Sequence, residues 1–207
     1  MNTLVKKPIV IYAESSPNPS AMKFVANMPL VPAGATVEYK TPAEATTSAL
    51  ARELFIFPFV KQVFIANNYV TITKNDTVVW EEVIHHVRDF IKLFLEEGKP
   101  AVNELPTKEV ATDNTFAETK SVFTEHAAPT TETETKIVEI LEEYIRPAVE
   151  QDGGLITFKS FTDGVVTVQM KGACSGCPSS TLTLKAGIEG LLKKMVPGVN
   201  QVVAEAV

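Results

Sequence analysis

The sequence predicts an α+β protein built from two small domains, and three observations carry that expectation. Strand-like and helix-like stretches are mixed within each half of the chain. Tight-turn signals join neighbouring strand runs, which points to antiparallel sheets. Between the halves, residues 99–135 are rich in Thr, Glu, Ala and Pro, and their scattered apolar residues follow no period. A structureless stretch of that length is unusual inside one compact domain. It is read as a flexible linker between a domain at 1–98 and a second at 136–207. A coil of ~30 residues would leave its ends roughly 30 Å apart.

In the first half, "PIVIYAES" and "AMKFVAN" read as strands on either side of the turn-rich "SPNPS". "TVEYK" is a candidate third strand. A capping box, Thr41 with Glu44 three residues on and Pro42 at the first helical position, predicts a helix starting at Thr41. Two β-branched and aromatic runs flank Asn67-Asn68, residues that tolerate positive φ, and so predict a hairpin. "WEEVIHHVRDFIKLFLEEG" follows as a helix with Val83, Val87, Phe90, Ile91 and Phe94 at helical spacing. Gly98 is its candidate C-cap.

The second domain opens with a helical pattern. Ile137, Ile140, Leu141, Tyr144, Ile145, Ala148 and Val149 are expected on its apolar face, with Glu142 and Arg146 toward water. Pro147 is a candidate kink or stop. Asp163-Gly164 supplies a two-residue turn for a second hairpin. A helix through Leu184, Ile188, Leu191 and Met195 and a last strand "VNQVVAEAV" complete the pattern.

A formal net charge of −6 leaves no basic stripe for nucleic acid. No run reaches the ~18 apolar residues of a membrane span. The N-terminus is too short in apolar residues for a signal core and lacks the Arg-rich character of a transit peptide, so a cytosolic compartment is expected. Two cysteines in 207 residues are not a disulfide scaffold. Neither a phosphate loop nor a nucleophile elbow nor an acid–base carboxylate pair is visible, so no enzyme activity is expected.

Those two cysteines, Cys174 and Cys177, lie in "GACSGCPSST" between a predicted strand and a predicted helix. Pro178 suits the first turn of that helix, and its dipole is expected to lower both thiol pKa values. Gly172 and Gly176 would allow the tight backbone that convergent sulfurs need. Two intervening residues suit a shared metal centre, but a cluster or a closed zinc site needs four ligands. The three histidines, His85, His86 and His126, fall outside the predicted second domain. One chain therefore cannot complete the site, whereas two chains across a two-fold axis can. Three chemistries stay open on these residues: a cluster-bridged dimer, a thiol–disulfide module and a zinc-bridged dimer. Against the redox module, no βαβ unit is read ahead of the motif, and "CSGC" has no aromatic neighbour.

The run from "QDGG" through a hairpin to "GACSGCPSSTLTLKAGIEGLL" resembles the C-terminal domain of NifU, which defines the Nfu iron–sulfur carriers. The first hundred residues, with "ESSPNPSAMKFVAN" and "PFVKQVFIANNYVTITK", look like the Nfu N-terminal domain. The resemblance implies that Cys174 and Cys177 ligate a [4Fe–4S] cluster shared by a homodimer; whether [2Fe–2S] is also carried stays open at this point. It also implies an upstream donor and apo-protein clients. Of the other marked residues, Phe55, Phe57, Phe59 and Phe64 are read as core rather than a partner surface, and His85-His86 as surface residues. Lys171 is weighed as a counter-charge to an anionic cluster against a solvated strand-end lysine, and Asp152-Gly153-Gly154 is read as a helix C-cap.

Overall fold

The structure is a computed structural model that describes residues 8–105, 126–175 and 178–206. The first domain is a five-stranded antiparallel sheet in the order β1-β2-β5-β4-β3. Its strands are β1 (Ile11–Ser15), β2 (Ala21–Ala26), β3 (Thr36–Tyr39), β4 (Val60–Ala66) and β5 (Tyr69–Lys74). Alternation along these strands sends Phe24, Val63, Ile65, Val70 and Ile72 to one face, where α1 (Ala49–Leu54) and α2 (Trp80–Glu96) cover them. The β4–β5 hairpin turns at Asn67, whose φ of 40° an asparagine accepts readily. α2 ends as expected, with Gly98 at a φ of 76°.

The helix expected from Thr41 starts later. Glu44 does reach back to the Lys40 N–H (2.9 Å), and the Thr41 hydroxyl donates to it (3.1 Å), but these bonds close an exposed turn. A 3₁₀ turn at Ala45–Thr47 follows, and α1 begins after Ser48, whose Oγ accepts from the Ala51 N–H at 3.0 Å. The start is set by burial. Leu50, Ala51 and Leu54 are the first residues that seat a helical stripe in the core.

The second domain holds α3 (Glu132–Ile140), a π-turn (Leu141–Ile145), α4 (Arg146–Gln151), β6 (Gly154–Thr162), β7 (Val165–Gly172), α5 (Pro178–Met195) and β8 (Gln201–Ala206). Its sheet is mixed rather than antiparallel throughout. β6 and β7 form the predicted hairpin, whereas β8 returns parallel to β7 after α5. The cysteine loop thus lies inside a β7–α5–β8 crossover, although no such unit precedes it. One face of this sheet, with Ile156, Phe158, Val166, Val168, Met170 and Val202, packs on the helices.

Pro147 lacks an N–H and cannot continue an α-helical ladder, and the π-turn ends at Ile145, two residues before it. The extra residue in that turn rotates the stripe. Tyr144 (49% exposed) and Ala148 therefore face solvent. Arg146, expected in water, is mostly covered and bridges Glu142 (2.6 Å) and Glu150 (2.7 Å).

The ends of the predicted linker pack onto the domains. Ala101 is buried and accepts from the Ser48 hydroxyl at 2.6 Å. At the other end α3 starts at Glu132 behind a complete capping box between Thr131 and Glu134. His126 packs into the second domain, contrary to the sequence reading. Its Nδ1 accepts from the Phe158 N–H at 2.7 Å, and its Nε2 meets Glu142. The remainder of that predicted linker, 106–125, lies outside the described residues.

Candidate functional site

The site is built where β7 runs out. Gly172 closes the strand at a φ of +65°, a region that favours glycine, and turns the chain into Ala173, Cys174 and Ser175. The Ser175 N–H and hydroxyl both donate to the Gly172 carbonyl, at 3.1 and 2.9 Å, which fixes the turn. On the opposite strand, α4 ends at Asp152 and passes through Gly153, at a φ of +83°, into β6. This bears out Asp152-Gly153-Gly154 as a helix C-cap. The Ala173 N–H donates to the Gly153 carbonyl (3.2 Å), tying the two segments together.

Cys174 sits against Gly154. A Cβ on Gly154 would come within 2.4 Å of the Cys174 Sγ, so only glycine leaves room for the sulfur. Cys174 is 8% exposed and belongs to the second domain's core. Burial, with Asp152 adding a like charge, pushes its thiol pKa up to about 12. The expected direction was down. The helix dipole that motivated it acts through partial charges at the first turn, and desolvation of a buried sulfur outweighs it here. In this arrangement Cys174 is a protonated thiol, a poor nucleophile and a poor metal ligand.

Beside Cys174 opens a cleft of about 420 Å³ lined by Ser16, Pro17, Asn18, Asp152, Thr183 and Leu184. The first three come from the first domain, from the same "SPNPS" turn that separates β1 from β2. That domain also supplies polar contacts to the loop. Asn18 Nδ2 donates to the Ala173 carbonyl at 3.0 Å, and the Gly172 N–H donates to Glu38 Oε1 at 2.6 Å. Gln62 Nε2 donates to the Ser175 hydroxyl at 2.9 Å. Burial raises the Glu38 carboxyl above the usual range, while the Gly172 N–H and two lysines pull the other way.

Of the two predicted ligands, the structure places Cys174 in this loop. Cys177, with Gly176, lies outside the described residues. His85 and His86 are exposed on α2, as read. Phe55, Phe57 and Phe59 pack on the first domain's core, also as read. Phe64 does not. It is fully buried against Leu155 of the second domain. Asn18, Glu38, Gln62 and Thr71 were not singled out from the sequence, since their partners, three backbone groups and the Ser175 hydroxyl, lie more than 80 residues away. Among the described residues no group of three or more His, Cys, Asp or Glu could hold a metal ion. In donor type Cys174 suits a soft thiolate-bound cargo, but a second thiol and an uncovered sulfur are needed before such a cargo fits.

Two family models match this chain. Residues 11–98 match the family described as scaffold protein Nfu/NifU N terminal, and residues 137–203 match the NifU-like domain. The human protein named NFU1 iron-sulfur cluster scaffold homolog, mitochondrial, is 34% identical over 197 residues, covering 93% of this chain and 71% of that one. NifU-like protein 4, mitochondrial, of Arabidopsis thaliana is 34% identical over 202 residues, covering 97% and 67%. A Drosophila willistoni protein with the same name as the human one is 34% identical, covering 95% of this chain and 64% of its own length. The chain belongs to the Nfu/NifU-like family of iron–sulfur scaffold proteins, which are carriers rather than enzymes. No helix among the described residues is long and apolar enough to cross a membrane. The relatives carry mitochondrial names, so the cytosolic compartment expected from the N-terminus gains no support.

Proposed function

We propose that this protein is an iron–sulfur cluster carrier. It holds a [4Fe–4S] cluster between Cys174 and Cys177 of two copies and passes it to apo-proteins. The observation that carries the reading is the position of Cys174: it lies in a short strand-to-helix loop within the segment that matches the NifU-like domain. With two cysteines per chain, four sulfurs require two chains. Transfer is ligand exchange, in which client cysteines replace Cys174 and Cys177 one at a time as the dimer loosens. The first domain, a linker and the cluster-binding domain divide the labour, with the first domain recognising donor or client. A [2Fe–2S] form would use the same four sulfurs.

The bound sulfurs must be thiolates, so loading favours higher pH and weakens as pH falls. Anaerobic reconstitution with iron and sulfide tests the reading, followed by metal analysis, Mössbauer spectra and mass in solution. About two irons and two sulfides per chain, on a dimer, are expected for one bridging [4Fe–4S] cluster. Cys174→Ala or Cys177→Ala should fold yet hold no cluster. Full iron and sulfide in either variant would overturn the bridged model. A reversible Cys174–Cys177 disulfide without any cluster would move the reading to thiol–disulfide chemistry.

A further inference from the structure

The two domains are in contact, and the contact falls on the cysteine loop. β2, β4 and β5 present a second face, away from the helices, that carries Lys23, Val25, Phe64, Tyr69 and Thr71. Leu155 of the second domain packs into its apolar part, with Val25, Phe64, Ala66 and Tyr69 around it. The polar residues of the face all find backbone partners. Thr71 donates to the Gly153 carbonyl at 2.7 Å, Lys23 Nζ to the Gln151 carbonyl at 3.1 Å, and the Tyr69 hydroxyl to the Gly154 carbonyl at 3.4 Å. Asn18, Glu38 and Gln62 complete the set on residues 172–175.

We infer that this face is a docking surface whose occupant is the cysteine loop of the same chain, and that the apo-protein keeps Cys174 capped until the domains part. The fit is specific at atomic scale. A Cβ on Gly172 would meet Phe64 Cδ1 at 2.7 Å, and one on Gly153 would meet the Thr71 hydroxyl at 2.7 Å. Charge agrees as well, with Lys23 on the face acting on Asp152 beside the loop. A buried lysine and a threonine that is 1% exposed are costly to cover without partners. Here each has one. Asn18 and its turn line the cleft beside Cys174, so the first domain stands against the loop that carries the sulfur. What uncovering achieves rests on the carrier reading; the cap itself does not.

Alkylation of the full-length apo-chain tests it, in a Cys177→Ser background so that Cys174 alone reacts. The unsubstituted interface should protect Cys174 strongly relative to the same chain unfolded in urea. Thr71→Arg, which drives a bulky charge into Gly153, should speed alkylation about ten-fold or more, as expected for loss of one or two interface hydrogen bonds and the packing they hold. Glu38→Ala with Gln62→Ala removes two loop contacts without adding bulk and should act in the same direction. Circular dichroism checks that each variant keeps its fold. Equal rates in the folded variants and the parent would overturn the cap, as would a parent rate equal to that in urea. Iron and sulfide uptake by the unsubstituted chain is scored separately. Failure there would overturn the carrier reading and leave the alkylation result standing on its own.

Discussion

The two faces of the five-stranded sheet are buried for different reasons. On the inner face Phe24, Ile65, Val70 and Ile72 meet the apolar stripes of α1 and α2, and the driving force is removal of hydrocarbon from water. On the outer face Lys23, Thr71 and Gln62 meet backbone carbonyls and a hydroxyl around a few apolar residues. Such polar contacts yield little net free energy, because the same groups bond equally to water when the faces separate. The first kind of burial holds a domain together, and the second allows it to let go. One sheet therefore carries a permanent contact and a releasable one, back to back.

Substitutions can break that contrast in graded steps. Phe24→Ala on the inner face should cost the most, about 3–5 kcal/mol. Phe24 is 1% exposed and meets Trp80 edge-on at 6.1 Å, so chemical denaturation should show loss of the whole first domain. Gly172→Ala should be intermediate, about 1–2 kcal/mol, because it forces a side chain into positive φ and toward Phe64. Its cost should appear mainly as separation of the domains, read by small-angle scattering, and equal scattering from both chains would count against the contrast. Thr71→Val keeps the shape but removes the hydroxyl that bonds the Gly153 carbonyl, leaving that carbonyl to the Ala173 N–H alone, and should cost about 1 kcal/mol, again in docking rather than in unfolding.

The pH dependence sharpens the same point. Burial raises Cys174 to about 12 in the folded chain, above its value in the unfolded one. Its contribution is fully present below the unfolded thiol's pKa. It is lost as pH rises toward 12, because the unfolded or opened chain ionises first. Thiolate absorbance of the Cys177→Ser chain should therefore appear well above pH 9 in the closed state, and earlier in the Thr71→Arg variant.

Much of this fold was legible in the sequence where local chemistry decides the outcome. Asn67 and Asp163-Gly164 turn their hairpins because their backbones accept positive φ, and Gly98 ends α2 for the same reason. Local signals misled where a distant contact overrides them. Thr41 and Glu44 satisfy each other in a turn, while the helix waits for Leu50 to reach the core. Glu142 and Arg146 looked like solvent residues, but the π-turn at Leu141–Ile145 moves the stripe. His126 gave no sequence signal at all, since it accepts from Phe158, 32 residues further on. The outer face of the sheet carries Lys23, Gln62 and Thr71, none of which signals a partner locally. A pattern of Lys, Thr and Gln is what water accepts, and it is equally what a neighbouring domain's carbonyls accept. For the candidate site, the sequence located Cys174 but reversed the direction of its pKa, because burial of the sulfur in the folded chain leaves no mark on local spacing.

Trp80 is the one tryptophan in the chain, and it lies buried in the first domain's core against Phe24. Intrinsic indole emission is therefore a lamp placed in one room only. Excited at the red edge, the protein reports the collapse of the first domain while the second stays dark. Any denaturant titration in which emission and far-ultraviolet ellipticity part company would give the order in which the two domains melt, with no label attached.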